Sequence, residues 1–207
     1  MPAPMAPGDV AGAETPYYKI QAGVPAAYVR AYKQPLYDSE QLLETNPGAD
    51  FILYSKPQGQ SLADGTTRKT SLHTNMKQAG QLGVPQSFDV YGFNARLPKN
   101  ISLGNFQLIE AAGVSTVYFG TDIEFLSVPI EEIPSGVDIE GLAVTDVPHI
   151  GWGITDNLYR FDVGGRSIHI NPTEAFSVKI SFPSGLAGIT GNQLFRWFMR
   201  GILFKGL

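Results

Sequence analysis

The chain contains no cysteine. Disulfides, thiolate nucleophiles and cysteine-ligated zinc or iron–sulfur centres are therefore excluded. Charge is sparse as well: charged residues are 16% of the 207 positions and the net charge is −4, so the whole protein offers polyanions no general attraction. Histidine occurs only at His73, His149 and His169, which leaves few ways to build an imidazole metal site. No uninterrupted apolar run approaches the ~20 residues of a membrane-spanning helix. The segment Met1-Pro2-Ala3-Pro4-Met5-Ala6-Pro7 has neither a basic n-region nor an apolar h-region, so no secretory signal is expected and synthesis in the cytoplasm is. A hydrophobic share of 43% suits one sizeable globular domain.

What is present is unevenly distributed. Residues 1–50 are rich in alanine, proline, glycine and tyrosine and carry little periodicity, which predicts an extended N-terminal arm. Pro25 and Pro35 oppose a long helix there, although Ala26 to Lys33 and Asp38 to Leu43 are each compatible with a short one. Tyr17, Tyr18, Tyr28, Tyr32 and Tyr37 supply five of the nine tyrosines. Tyrosine combines stiff contact area with a polar tip, so the five are candidate interface anchors toward a neighbouring subunit. The other reading is that the arm wraps its own domain and they cover apolar seams.

Residues 51–207 read as a β-domain. Period-two alternation bounded by glycine and proline predicts strands at Phe51–Ser55, Ser87–Arg96, Val117–Val128, Leu158–Val163, Ser167–Ile170 and Ala175–Phe182. Gly164-Gly165 is placed as a hairpin turn, and residues 59–81 as a polar excursion with at most a weak helix. In the last of these strands Phe176, Val178, Ile180 and Phe182 face inward, and Ser177, Lys179 and Ser181 outward. Short strands with turn signals throughout predict an all-β fold: an antiparallel β-sandwich, as a single eight-stranded jelly roll carrying the arm.

No catalytic constellation emerges, and no enzyme activity or cofactor is expected. His169, Asn171 and Glu174 loosely match a cupin metal motif, but an asparagine stands where the second histidine belongs. Ser102, Ser135 and Ser184 lack a nucleophile elbow. Glu131-Glu132 and Asp138 with Glu140 are paired carboxylates in a proline-marked loop. Gly151-Trp152-Gly153 lacks the lysine of a phosphate loop, and Asp156-Asn157 is too little for calcium. Trp152 is either a plug between sheets or a stacking platform for a sugar ring. A carbohydrate-binding or adhesin module, which would expose Trp152, and a cupin-like enzyme, which would bind metal through His169, are the rival functional readings.

The segment Phe195 to Lys205 is apolar and carries Arg196, Arg200 and Lys205 with no acid. As a strand it puts Phe195, Trp197, Met199 and Leu203 on one face, and Arg196, Phe198, Arg200, Ile202 and Phe204 on the other. It is compatible with a core strand bearing arginines at its rim. It is also compatible with contact to a membrane surface or a nucleic acid through Arg196, Arg200 and Lys205.

Two stretches, Ile170 to Pro183 and Arg196 to Phe204, resemble the C-terminal half of jelly-roll capsid proteins from tailless icosahedral bacteriophages, including those with an internal membrane. The resemblance is one of pattern over about 40 residues and transfers no catalytic residue. It implies a structural virion protein that self-assembles into an icosahedral shell. Its partners would be copies of itself, other virion proteins and an internal membrane or genome, with no small-molecule substrate.

Overall fold

The computed structural model describes residues 29–98, 101–120, 123–133, 158–160 and 167–206. The expectations for Tyr17, Tyr18, Tyr28, His149, Trp152 and the Gly164-Gly165 turn lie outside them. Two antiparallel sheets share one hydrophobic core. The first contains β1 (Val29–Lys33), β2 (Leu36–Leu42), β4 (Ser87–Arg96), β7 (Ile168–Ile170) and β9 (Gln193–Gly206). The second is ordered β3 (Phe51–Leu53), β8 (Phe176–Ser181), β5 (Val114–Phe119) and β6 (Glu124–Pro129). Phe88, Val90, Phe93, Trp197 and Met199 from the first sheet meet Leu53, Val117, Phe176, Val178 and Ile180 from the second. The sequence expectation of a predominantly β chain in antiparallel sheets holds.

The arm boundary at residue 50 does not hold for its second half. β1 and β2 both pair along one edge of β9, from Val29↔Gly206 to Leu42↔Gln193. The residue offset is the same on either side of Pro35, where Lys33 faces Ile202 and Leu36 faces Met199. One strand thus runs along β9, and Pro35 interrupts its hydrogen bonding because proline has no N–H to donate. The helices compatible with Ala26 to Lys33 and Asp38 to Leu43 give way to this pairing, since tertiary partners override weak local propensity. Asp38 and Ser39, plausible helix caps, are buried strand residues instead.

Three other departures have local causes. β4 keeps its expected bounds, but its inward positions change parity from Phe88 and Val90 to Phe93 and Ala95. A β-bulge between Val90 and Gly92 inserts the extra residue that flips the side chains. Gly201 of β9 lies beside this bulge, where a Cβ would overlap the Asp89 carbonyl and the Phe88 ring, so only glycine fits. The single strand expected at Val117–Val128 is a hairpin of β5 and β6, turning after Gly120 at φ 72°. Ile123 and Phe125 are exposed. A helix, α1 (Leu103–Ala112), joins β4 to β5, with the Ser102 hydroxyl accepting from Asn105 N.

β8 shows the expected alternation, with Phe176, Val178 and Ile180 buried and Ser177, Lys179 and Ser181 half-buried. Residues 54–86 contain no helix and fold back over the open edge of β2. Asn75 N donates to Tyr37 O, the Asn75 amide donates to Pro35 O, and Tyr37 N donates to Asn75 Oδ1. That strand edge is thereby capped rather than left open to another chain.

Candidate functional site

β9 sets the geometry of an arginine cluster on the face of the first sheet turned away from the core. Alternation sends Phe195, Trp197 and Met199 inward and Arg196, Phe198 and Arg200 outward. The register then adds neighbours: Arg96 stands directly opposite Arg196, Asn94 opposite Phe198, and Lys33 opposite Ile202 on the same face. The Arg96 and Arg200 guanidinium carbons lie 5.4 and 4.8 Å from the Phe198 ring centroid. Arg200 Nε donates to Asn94 Oδ1 at 2.8 Å. Arg196 donates to Ser39 Oγ and to the Leu72 carbonyl.

Like charges directly opposite on neighbouring strands are unfavourable. Burial, and then the charges of Arg200 and Arg196, hold the Arg96 guanidinium below its ordinary value. Burial lowers Arg196 and Arg200 as well. Among the described residues no carboxylate forms an ion pair with Arg196, Arg200 or Lys33. Next to Arg200 a cavity of about 240 Å³ is lined by Lys33, Gln34, Tyr91, Leu158 and Gly201, among others. The arrangement offers converging hydrogen-bond donors and positive charge, which is the chemistry that receives an oxyanion.

Of the three basic residues singled out from the sequence, Arg196 and Arg200 belong to this cluster and Lys205 does not. Lys205 follows the opposite parity and sits 5.4 Å from the ring of Tyr32. Arg96 was missed, because only strand pairing brings it to Arg196. Tyr32 is exposed, whereas Tyr37 serves its own chain, packing 6.0 Å from Phe198 and donating its hydroxyl to the Ser71 carbonyl.

The cupin-like residues separate into two local units. His169 Nδ1 lies 2.5 Å from Asp89 Oδ1 on the adjacent strand β4. Glu174 accepts from the backbone and side-chain nitrogens of Asn171, closing the turn between β7 and β8. Among the described residues no group of three potential ligands converges on one point. Glu131 and Glu132 lie exposed in a 3₁₀ turn after β6. His73 accepts from Thr70 N, and burial followed by the charges of Arg196 and Lys69 lowers its pKa.

A second polar cluster lies inside the fold. Lys69 Nζ is 2.9 Å from both Asp38 carboxylate oxygens and 3.7 Å from Glu40, with all three side chains buried. Glu40 also accepts from Ala63 N and pairs with Lys56 at 3.1 Å. The cluster fastens the 54–86 excursion to β2.

Comparison of the chain with protein-family models, curated proteins and solved structures gave no match.

Proposed function

We propose that this chain is a structural virion protein, a single jelly-roll capsid subunit that self-assembles into an icosahedral shell. The observation that carries the proposal is the nesting of strand pairs. Counted as the one interrupted strand their common register describes, β1 and β2 reduce the described strands to eight. These pair as β1/β2 with β9, β3 with β8, β4 with β7, and β5 with β6. Such nesting arises when one long hairpin folds over on itself, and it supports a jelly roll. Jelly rolls also serve lectins and cupins, so fold alone does not choose among functions.

Two features favour the shell. The stretches resembling phage capsid proteins fall on β7 to β8 and on β9, the strand that lies between β1/β2 and β4 in the first sheet. At the margin of the second sheet, Phe125 of β6 and Ile123 just before it are exposed. An edge strand with apolar side chains suits contact with a neighbouring copy. Residues 1–28, ahead of β1, would extend such contacts through Tyr17, Tyr18 and Tyr28. The site of action would then be the virion, after synthesis in the host cytoplasm. Light scattering and electron microscopy of the purified protein test this: shells or regular capsomers are expected, and a persistent monomer under all assembly conditions would overturn it.

A further inference from the structure

We infer that the outward face formed by Arg196, Arg200 and Lys33, with Arg96 beside them, binds the phosphodiester backbone of a single-stranded nucleic acid. The inference goes beyond the shell proposal and stands on the side chains alone, so unassembled subunits suffice to test it.

Three strands contribute to one basic track. Arg196 and Arg200 are four residues apart on β9, hence roughly 13–14 Å along the strand. Arg96 flanks the first from β4, and Lys33 lies beyond the second on β1. A row of cations at this spacing matches a repeating anion better than a single free phosphate. Guanidinium groups supply paired donors suited to phosphate oxygens. The Asn94 amide Nδ2 on the same face is buried and has no hydrogen-bond partner. Placing arginines opposite each other sacrifices local stability, and such breaches of local rules are expected at functional positions.

The recess favours a flexible strand over the alternatives. Arg96, Arg196 and Arg200 are half-buried, Phe198 beneath them is only 9% exposed, and a cavity lies beside Arg200. A duplex, with a persistence length of about 150 base pairs, bends poorly into such a recess, whereas a single strand can follow it. Leu72, whose carbonyl accepts from Arg196, is exposed beside the cluster, but a single apolar side chain is too little insertable surface to hold a lipid interface. The exposed apolar pair Ile123 and Phe125 belongs to the other sheet. Lipid binding is thus disfavoured on this face.

The test uses the full chain and fluorescein-labelled oligothymidylate, with binding followed by anisotropy over a range of salt. Contact with three or four phosphates predicts a slope of log K against log salt of about −2 to −3. Arg200→Gln and Lys33→Gln should each weaken binding several-fold and reduce the slope by about 0.7. Circular dichroism confirms that each variant is folded. Lys33 makes no described side-chain bond within the sheet, so its variant decides the matter if Arg200→Gln does not fold. Unchanged affinity in the folded variants would overturn the inference. So would tighter binding of a duplex of equal length, or binding to phosphatidylglycerol vesicles without binding of oligothymidylate. Full competition by equimolar inorganic phosphate would reduce the site to a simple anion site and overturn it too.

Discussion

Lys69 reaches from the long 54–86 excursion to Asp38 on β2, its ammonium 2.9 Å from each carboxylate oxygen, and neither side chain is exposed. Asp38 Oδ2 also accepts from Tyr54 N at 2.5 Å. Removing one partner of a buried pair leaves the other charge without compensation. Lys69→Met should therefore cost about 3–5 kcal/mol, measured by urea denaturation. A loss under about 1 kcal/mol would mean that the cluster is solvated and does not lock the excursion in place.

The same pair gives a pH signature. Burial raises the Asp38 pKa above its ordinary value, and Lys69 is the main influence opposing that rise. A carboxyl raised in the folded state holds its proton more tightly there than in the unfolded chain. Its titration contributes stability that is complete below the ordinary carboxylate pKa and is lost as pH rises through the folded value. Without Lys69 the rise is larger, so the variant loses more stability on going from acid to neutral pH. The deficit of Lys69→Met relative to the parent should widen as pH increases from the acid side. A deficit that narrows over that interval would contradict this account.

The legible parts of the sequence were those governed by one face of one strand. β8 followed from alternation because a half-buried strand writes its two faces into consecutive residues. β4 kept its bounds, but it is buried on both faces and changes parity at its bulge. The split between β5 and β6 was hidden because Val117 to Val128 is apolar on both sides of Gly120, and the turn shows only as a positive φ. β2 was hidden for a different reason. Its inward positions include Asp38 and Glu40, whose burial depends on Lys69 and Lys56 far along the chain. For the candidate site, Arg196 and Arg200 were visible as a basic pair two positions either side of Phe198. Arg96 is a hundred residues from Arg196 and meets it only through the β4–β9 register.

Register in β8 can be tested by substitution. Val178 and Ile180 are fully buried between the sheets, while Ser177 is half-buried on the opposite face. Ile180→Ala should cost on the order of 2–4 kcal/mol and Val178→Ala somewhat less, whereas Ser177→Ala should stay within about 0.5 kcal/mol. Chemical denaturation reads all three. A damaging serine variant beside a tolerated Ile180→Ala would place the strand one residue out of register.

Two truncations separate folding from assembly. Deleting residues 1–37 removes β1 and the first two residues of β2, stripping the pairing partners of Phe198, Met199 and Ile202 to Gly206 along one edge of β9. It also removes Leu36, a core residue, and losing a buried leucine side chain alone typically costs about 2–5 kcal/mol. The expected result is a sharply lowered melting temperature or an unfolded product, in contrast to what an arm ending at residue 50 implies. Deleting residues 1–28 leaves every described strand intact, so the subunit should melt within a few degrees of the full chain. If those residues carry the contacts between subunits, the shorter deletion should still prevent or misdirect shell formation. Thermal melts of both proteins, followed by electron microscopy of the shorter deletion, give the answer. A 1–37 deletion that melts like the parent would return residues 29–37 to the arm. A 1–28 deletion that builds normal shells would remove Tyr17, Tyr18 and Tyr28 from any role in assembly.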